Sequence, residues 1–311
     1  MRTAEPRRKS RRDADGNGAK PAPTAIEERF AEARSRLGPH RQQLIRAIVD
    51  HCKETSFLSS RELAKRYGVD AATVVRTAQA LGYSGFADFS ADLREHLMAR
   101  ITPYTVLKAA TQERRSVADH VDHSLDSALD NLNLLRASVH RDEVVELARL
   151  IQRSKRVLVV GVDFAASLAY YFSYGLATLG FDAEAPVGSE GNLHHKIKLL
   201  SPKDLLIALS FGQCIRVSVE AVKRAHKQGV VTFGITDSDT TPIARYCDRH
   251  LIARVFSPSF LNSYVAPMAL INAIHVACAH LDPKRSLTQL RPTDKEYLSG
   301  ERWYREARSS S

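Results

Sequence analysis

Arg76 and Gln79 stand three residues apart in the run Ala71-Ala72-Thr73-Val74-Val75-Arg76-Thr77-Ala78-Gln79-Ala80-Leu81. At 100° per residue they share one helical face with Ala72, while Val74, Ala78 and Leu81 lie opposite and Thr73 and Val75 flank them. An Arg guanidinium pairs with the O6/N7 edge of guanine, a Gln amide with N6/N7 of adenine, and a Thr with a phosphate or a thymine methyl. A helix divided in this way can bury one face in a core and turn the other to base edges in a major groove. An ordinary helical hairpin would leave the same polar face solvated, so the spacing alone keeps both readings open.

A second group of chemically useful residues sits at the ends of short apolar runs: Asp163, Ser167, Ser189, Asn192, Ser210 and Gln213. Five are neutral hydrogen-bonding groups and one is a carboxylate, a set suited to a small polar ligand. Each is equally a loop or helix-capping residue by type, and Asp163 stands where it can cap a helix beginning near Phe164. Glu184, Glu190 and His195 are the available bases, but no neighbour in the sequence tunes any of them for proton transfer, so no catalytic residue is assigned. Cys52, Cys214, Cys247 and Cys278 are scattered without a C-x-x-C pair and read as reduced thiols. His194 and His195 are adjacent, so they point apart on a helix, and neither a metal site nor a cofactor is expected.

The elements that must hold Arg76 and Gln79 are marked locally. Ser59-Ser60-Arg61-Glu62 has the capping-box spacing just ahead of Leu63 and Ala64, so a helix starts there. Gly68 ends it, because glycine accepts the left-handed conformation of a tight turn, and Asp70 caps a second helix over Ala71 to about Leu81. Helix N-termini favour phosphate, which adds Ser59 and Ser60 to Ala72, Thr73, Arg76 and Gln79 as the expected DNA contacts. The stretch Ser59–Phe89, including Leu81-Gly82-Tyr83-Ser84-Gly85-Phe86, resembles the helix-turn-helix of RpiR-type regulators. Thr77 departs from that pattern, which usually carries an aromatic on the recognition helix. The resemblance implies a transcription regulator, not an enzyme, with double-stranded operator DNA as partner.

Beyond Lys155 the period changes. Val157-Leu158-Val159-Val160, Leu205-Leu206-Ile207-Ala208-Leu209 and Val230-Val231-Thr232-Phe233-Gly234-Ile235 are apolar runs separated by helical stretches, as in strands buried on both faces of a parallel sheet. A weaker strand is expected near His250–Val255 and a last helix from about Ser263 to Leu281. The fold expected is an all-α helix-turn-helix domain followed by an α/β domain with a doubly wound, mainly parallel sheet. Ligands of such sheets bind outside the carboxyl ends of the strands where strand order reverses, which directs attention to Gly161–Ala166 and Ser210–Ile215.

Residues Arg156–Leu281 resemble a SIS (sugar-isomerase) domain, with Thr236-Asp237-Ser238 and Thr241-Pro242-Ile243-Ala244 matching its segment after the fourth strand. Sugar-phosphate-binding members carry a first loop similar to G-x-G-x-S and a later one similar to S-x-S-G-x-T, whose amides and hydroxyls surround a phosphate. Here the first loop reads Gly161-Val162-Asp163-Phe164-Ala165, with Asp in place of a glycine and Ala in place of a serine. The later loop reads Ser210-Phe211-Gly212-Gln213-Cys214-Ile215 and keeps only its first serine in register. The resemblance implies a sensor for a small molecule, sugar-related or another small polar compound. A sugar-phosphate isomerase, and a domain kept only for oligomerisation, are the alternatives.

The organisation that follows is a disordered basic tail over 1–25, a helix-turn-helix domain over 26–100, a linker and connecting helix over 101–138, the SIS domain over 139–285, and a polar C-terminal tail over 286–311. Within the linker, roughly Ile101 to Ser116, Pro103 breaks the helical pattern, and helices follow over about Val117–Ala137 and Arg141–Arg153. The tail run Arg7-Arg8-Lys9-Ser10-Arg11-Arg12 either holds phosphates or merely aids solubility. A net charge of +10 over 311 residues favours a polyanionic partner. No apolar run approaches the roughly 20 residues of a membrane span and no secretory signal is evident, so a cytoplasmic protein without a membrane partner is expected. A helix-turn-helix reads two half-sites, which calls for a homodimer or homotetramer.

Overall fold

The computed structural model describes residues 23–56, 58–300 and 302–304. The expected N-terminal arm falls outside the described residues up to position 22, and its last residue, Ala25, already opens a helix. The chain divides into two compact units, the first ending at Ala99 and the second starting at Arg100.

The first unit is helical: α1 (Ala25–Ala33), a 3₁₀ turn at Arg34–Arg36, α2 (Pro39–Asp50), α3 (Cys52–Thr55), α4 (Ser60–Tyr67), α5 (Ala71–Ala80) and α6 (Phe86–Arg100). Ile26, Ile45, Ile48, Leu63, Val74 and Phe89 meet in one core, each at most 2% exposed. Polar ties close its edges. Thr24 Oγ1 lies 2.7 Å from Nδ1 of the buried His96, and Arg29 stacks over the Tyr83 ring while donating to the Gly82 carbonyl at 3.1 Å.

The second unit begins with α7 (Pro103–Ala110), where the sequence predicts a linker. Pro103 occupies the first helical turn, where a missing N–H costs no intrahelical bond, and Thr102 caps the end, so the proline starts a helix instead of breaking one. Then come α8 (Val117–Ser138) and α9 (Arg141–Arg153), which leads into β1 (Val157–Gly161), α10 (Phe164–Thr178), β2 (Ala183–Glu184), α11 (Glu190–Lys198), β3 (Leu205–Leu209), α12 (Arg216–Lys227), β4 (Val231–Thr236), α13 (Pro242–Tyr246) and β5 (Arg249–Ile252). The last helices among the described residues are α14 (Val265–Leu281) and α15 (Pro283–Ser299). The expected polar tail from 286 therefore holds most of a helix. Pro283 starts that helix, and Arg285 anchors it by lying over the Phe181 ring and donating to the Gly180 carbonyl at 2.9 Å.

The five strands are all parallel, in the order β2-β1-β3-β4-β5, so strand order reverses between β1 and β3. Alternation along each strand feeds two cores. Val157, Val159, Leu205, Ile207, Leu209 and Phe233 point to the layer of α9, α10 and α14. Leu158, Val160, Leu206 and Ala208 point to the layer of α11, α12 and α13. α14 seats closely on α10 because Gly175 leaves room for the His275 ring, whose Nε2 donates to the Phe172 carbonyl at 3.0 Å. No single helix among the described residues is long and apolar enough to cross a membrane.

Candidate functional site

At the head of α4, the Ser59 hydroxyl accepts the Glu62 amide at 3.3 Å while the Glu62 carboxylate accepts the Ser59 amide at 2.7 Å and its hydroxyl at 2.6 Å. Gly68 then turns at φ 63°, and Asp70 accepts both the amide and the hydroxyl of Thr73 at 2.6 Å. The Thr73 hydroxyl, followed by its amide, holds the Asp70 carboxyl below its ordinary range. The turn and caps fix the start of α5 and hence the azimuth of every side chain after it.

Ala72, Arg76 and Gln79 are exposed on α5, while Val74 and Ala78 are buried. Thr77 is also fully buried, donating its hydroxyl to the Thr73 carbonyl at 2.6 Å, so this departure from the family pattern belongs to the core and not to the outer face. Thr73 is half-buried and Ser59 is exposed, and both hydroxyls are engaged in capping; Ser60 is half-buried in the first turn of α4. Arg76 lies 3.6 Å from the Asp70 carboxylate with both side chains more than half exposed, a pair that water screens and that a base edge can displace at little cost.

In the second unit a cleft of about 270 Å³ opens where β1 ends, between the loop Gly161–Asp163 and the segment Ala185–Glu190 after β2. It brings together two of the expected ligand residues, Asp163 and Ser189, and adds Glu190. Ser189 caps α11 by accepting the Asn192 amide, and the Asn192 side chain donates to the Val187 carbonyl at 2.8 Å, so the pair shapes the cleft's outer loop. Ser167 is not part of the cleft: its hydroxyl turns back to the Phe164 carbonyl at 2.7 Å. Ser210 and Gln213 also stand apart from it, the first buried beside the Cys214 thiol and the second exposed.

Two features were hidden in the sequence. Asp163 makes no side-chain capping bond; it takes φ 52°, ψ −126°, the one positive φ at a non-glycine residue among the described residues. Asp237, in the Thr-Asp-Ser motif after β4, accepts the Gly212 amide at 2.8 Å, so an amide of the loop after β3 is already satisfied within the protein. The motif marked its neighbourhood, but its contact with Gly212 required the folded chain. Burial raises the pKa of the Tyr264 phenol, a hydrogen bond with Asn262 opposes it, and the charges of Asp237 and Asp163 add to the rise.

Because Asp163 holds a conformation natural to glycine, Asp163→Gly is expected to stabilise the chain by about 1 kcal/mol, strain relief exceeding glycine's extra chain entropy. Thermal unfolding followed by circular dichroism measures it, and a lower melting temperature overturns the strain assignment. A larger groove of about 860 Å³ lies toward the far end of α10, against α15, lined by Tyr174, Leu287, Leu290 and Tyr297 among others. It is remote along α10 from the strand tips that bind ligands in sheets of this topology. All four cysteines are free thiols, and among the described residues no group of three His, Cys, Asp or Glu side chains is placed to hold a metal ion.

A capped helix-turn-helix followed by a doubly wound parallel domain defines the class: a two-domain transcription regulator. Residues 24–100 match the helix-turn-helix domain of the rpiR family and residues 150–277 match the SIS domain. An uncharacterized HTH-type transcriptional regulator of Clostridium perfringens is 21% identical over 236 residues, covering 75% of this chain and 84% of its own. One of Haemophilus influenzae is 23% identical over 199 residues, covering 62% and 67%. The sugar isomerase domain of an RpiR transcription factor from Sphaerobacter thermophilus superposes with a TM-score of 0.53 at 29% identity, over 55% of this chain and 96% of that one. Vibrio vulnificus NanR, solved with ManNAc-6P, shares the fold with a TM-score of 0.57 at 17% identity, over 88% of this chain and all of that one. The chain belongs to the RpiR-type transcription regulators, with a SIS domain behind the helix-turn-helix.

Proposed function

We propose that the protein binds operator DNA by laying α5 in the major groove, and that a small polar metabolite at the strand tips of the SIS domain adjusts that binding. The observation that carries the first half is the division of α5: Val74, Thr77 and Ala78 inward, Ala72, Arg76 and Gln79 outward. Arg76 and Gln79 are the two outward side chains with base-reading donors not consumed by the caps, so they specify sequence. Ser59, Ser60 and Thr73 at the helix starts serve phosphates. Regulation instead of isomerisation is supported by the Clostridium perfringens and Haemophilus influenzae relatives, both named as HTH-type transcriptional regulators.

Arg76→Ala is expected to weaken specific operator binding by about 1–3 kcal/mol while leaving random-sequence binding and the fold unchanged. Gel-shift titrations on both DNAs check it, and equal affinity for the operator would assign the reading to another helix.

Two symmetric half-sites require a symmetric carrier, so the working form is a homodimer or homotetramer. Tyr170 and Tyr174 on α10, Val276 on α14, and Leu287 and Leu290 on α15 are large apolar side chains left exposed on the second unit, the composition that interface cores favour. Light scattering of the full chain should give at least a dimer at micromolar concentration; a monomer there sinks this part of the reading.

A further inference from the structure

We infer that Arg29 of α1 is a positioning residue for operator recognition: it holds the last turn of α5, and with it Gln79, in the orientation that reads a base. The inference rests on the reading of α5 as the recognition helix and adds to it a residue from outside α4 and α5. The start of α5 is fixed by the Gly68 turn and the Asp70 cap, and the helix packs chiefly on α4. Its far end is held by a different device. The Gly82 amide donates to the Gln79 carbonyl at 2.9 Å, and the Gly82 carbonyl accepts Arg29 Nη1 at 3.1 Å, so a single residue joins α1 to the last turn of α5. The Arg29 guanidinium carbon also lies 4.6 Å from the centroid of the Tyr83 ring, and Nε stands 3.9 Å from the Asp92 carboxylate of α6.

Three contacts from one side chain make this tie directional. A guanidinium is planar and offers its N–H groups in a fixed fork, so stacking on Tyr83 sets the plane in which Nη1 meets the Gly82 carbonyl. Tyr83 does not follow a displaced guanidinium, because its ring is 6% exposed and packs edge-on against Phe89 at 5.6 Å. Gly82 permits the approach: it turns at φ 87°, and a Cβ there would stand 3.2 Å from Arg29 Nη1. Its carbonyl lies just past the negative end of the α5 dipole, which favours a cation at this place. The tie contributes little to folding, since the Arg29 side chain is 43% exposed and water competes for the same carbonyl. Placement is what it governs. A Gln amide reads adenine through two bonds at once, and such a pair fails on a small displacement of the side chain that makes it.

The test uses the full chain in gel-shift titrations over a salt series, on random DNA and on an operator selected by the wild-type chain from a random-sequence pool. Arg29→Met keeps the apolar stem and removes the fork. It should lower operator affinity about fivefold or more, the share of one bidentate base contact, and leave affinity for random DNA and its salt dependence as in wild type. Arg29→Lys, which can still donate to the Gly82 carbonyl without the planar stack, should recover part of that loss. A merely structural role would lower both affinities together, and a lost phosphate contact would weaken both and reduce the salt slope by about 0.9; either pattern overturns the inference. In a double-mutant cycle, Arg29→Met and Gln79→Ala should cost no more together than the larger costs alone, because both remove the same base contact, and additive costs overturn the inference as well. Arg76→Ala in the same titrations keeps the two claims apart. Operator binding weakened by Arg76→Ala and not by Arg29→Met refutes the positioning role and upholds α5 as the reader; operator binding unchanged by both Arg76→Ala and Gln79→Ala refutes the reading of α5 itself.

Discussion

Gly161→Ala should destabilise the SIS domain by about 3 kcal/mol or more and abolish binding in the strand-tip cleft. A Cβ at this position would stand 2.3 Å from the Ala165 carbonyl oxygen, 2.8 Å from its carbon and 3.0 Å from the Ala169 Cβ. Two of those atoms are backbone in the first turn of α10, so no rotamer change relieves the clash. Either β1 withdraws from α10 or the first turn of the helix unwinds. Both outcomes break a core in which Ala165, Leu168, Ala169 and Phe172 are at most 5% exposed, and both displace Asp163, two residues along. Gly85→Ala is the control: its Cβ would meet nothing within 4 Å and its φ is ordinary, so it should change stability by less than about 0.5 kcal/mol. Urea unfolding followed by circular dichroism compares the two. A Gly161→Ala midpoint equal to wild type would mean that this strand-to-helix junction is not tightly packed.

The parts legible in the sequence are those where one local rule acts alone. Val74, Ala78 and Arg76 could be sorted because an amphipathic helix has a fixed period, and Gly68 and Asp70 mark where that period starts. β1, β3 and β4 show as apolar runs because both their faces are buried. β2 is two residues long, too short for any run to reveal it. Pro103 and the polar composition from 286 onward both misdirect. The proline sits in the opening turn of α7, where it is tolerated; the polar segment forms most of α15, which tertiary anchors at Arg285 and the buried Ser286 hold in place. In the cleft, the exchange of glycine for Asp163 was visible, but its cost in backbone conformation was not. Ser210 and Gln213 belong to the loop after β3, whereas the cleft is lined by the loop after β1 and the segment after β2, a division that strand order alone does not reveal. Glu190 stood out only as a base without a partner, because the loop Ala185–Glu190 meets β1 through the fold and not through sequence proximity.

Val74→Asp should unfold the helix-turn-helix domain while sparing the SIS domain, and it separates the inner face of α5 from the outer one. Val74 is 2% exposed and shares a core with Leu63, Ala78, Leu81 and Phe89. A carboxylate placed there must either lose its hydration or drag water into the core, an expected cost of about 4 kcal/mol or more. Such a loss is comparable to the whole stability of a small helical domain. Binding to operator and random DNA should therefore fall together, where Arg76→Ala lowers operator binding alone. The chain contains one tryptophan, Trp303, which packs edge-on against Tyr297 in the second unit. Its fluorescence follows that unit, while far-ultraviolet circular dichroism follows the helices of both. The variant should lose part of its helical signal at low temperature and keep the Trp303 transition where wild type has it, because the core around Val74 shares no residue with the two cores that flank the sheet. A single transition shifted for both probes would show that the two units unfold as one, and an unshifted one would show that Val74 does not face a core.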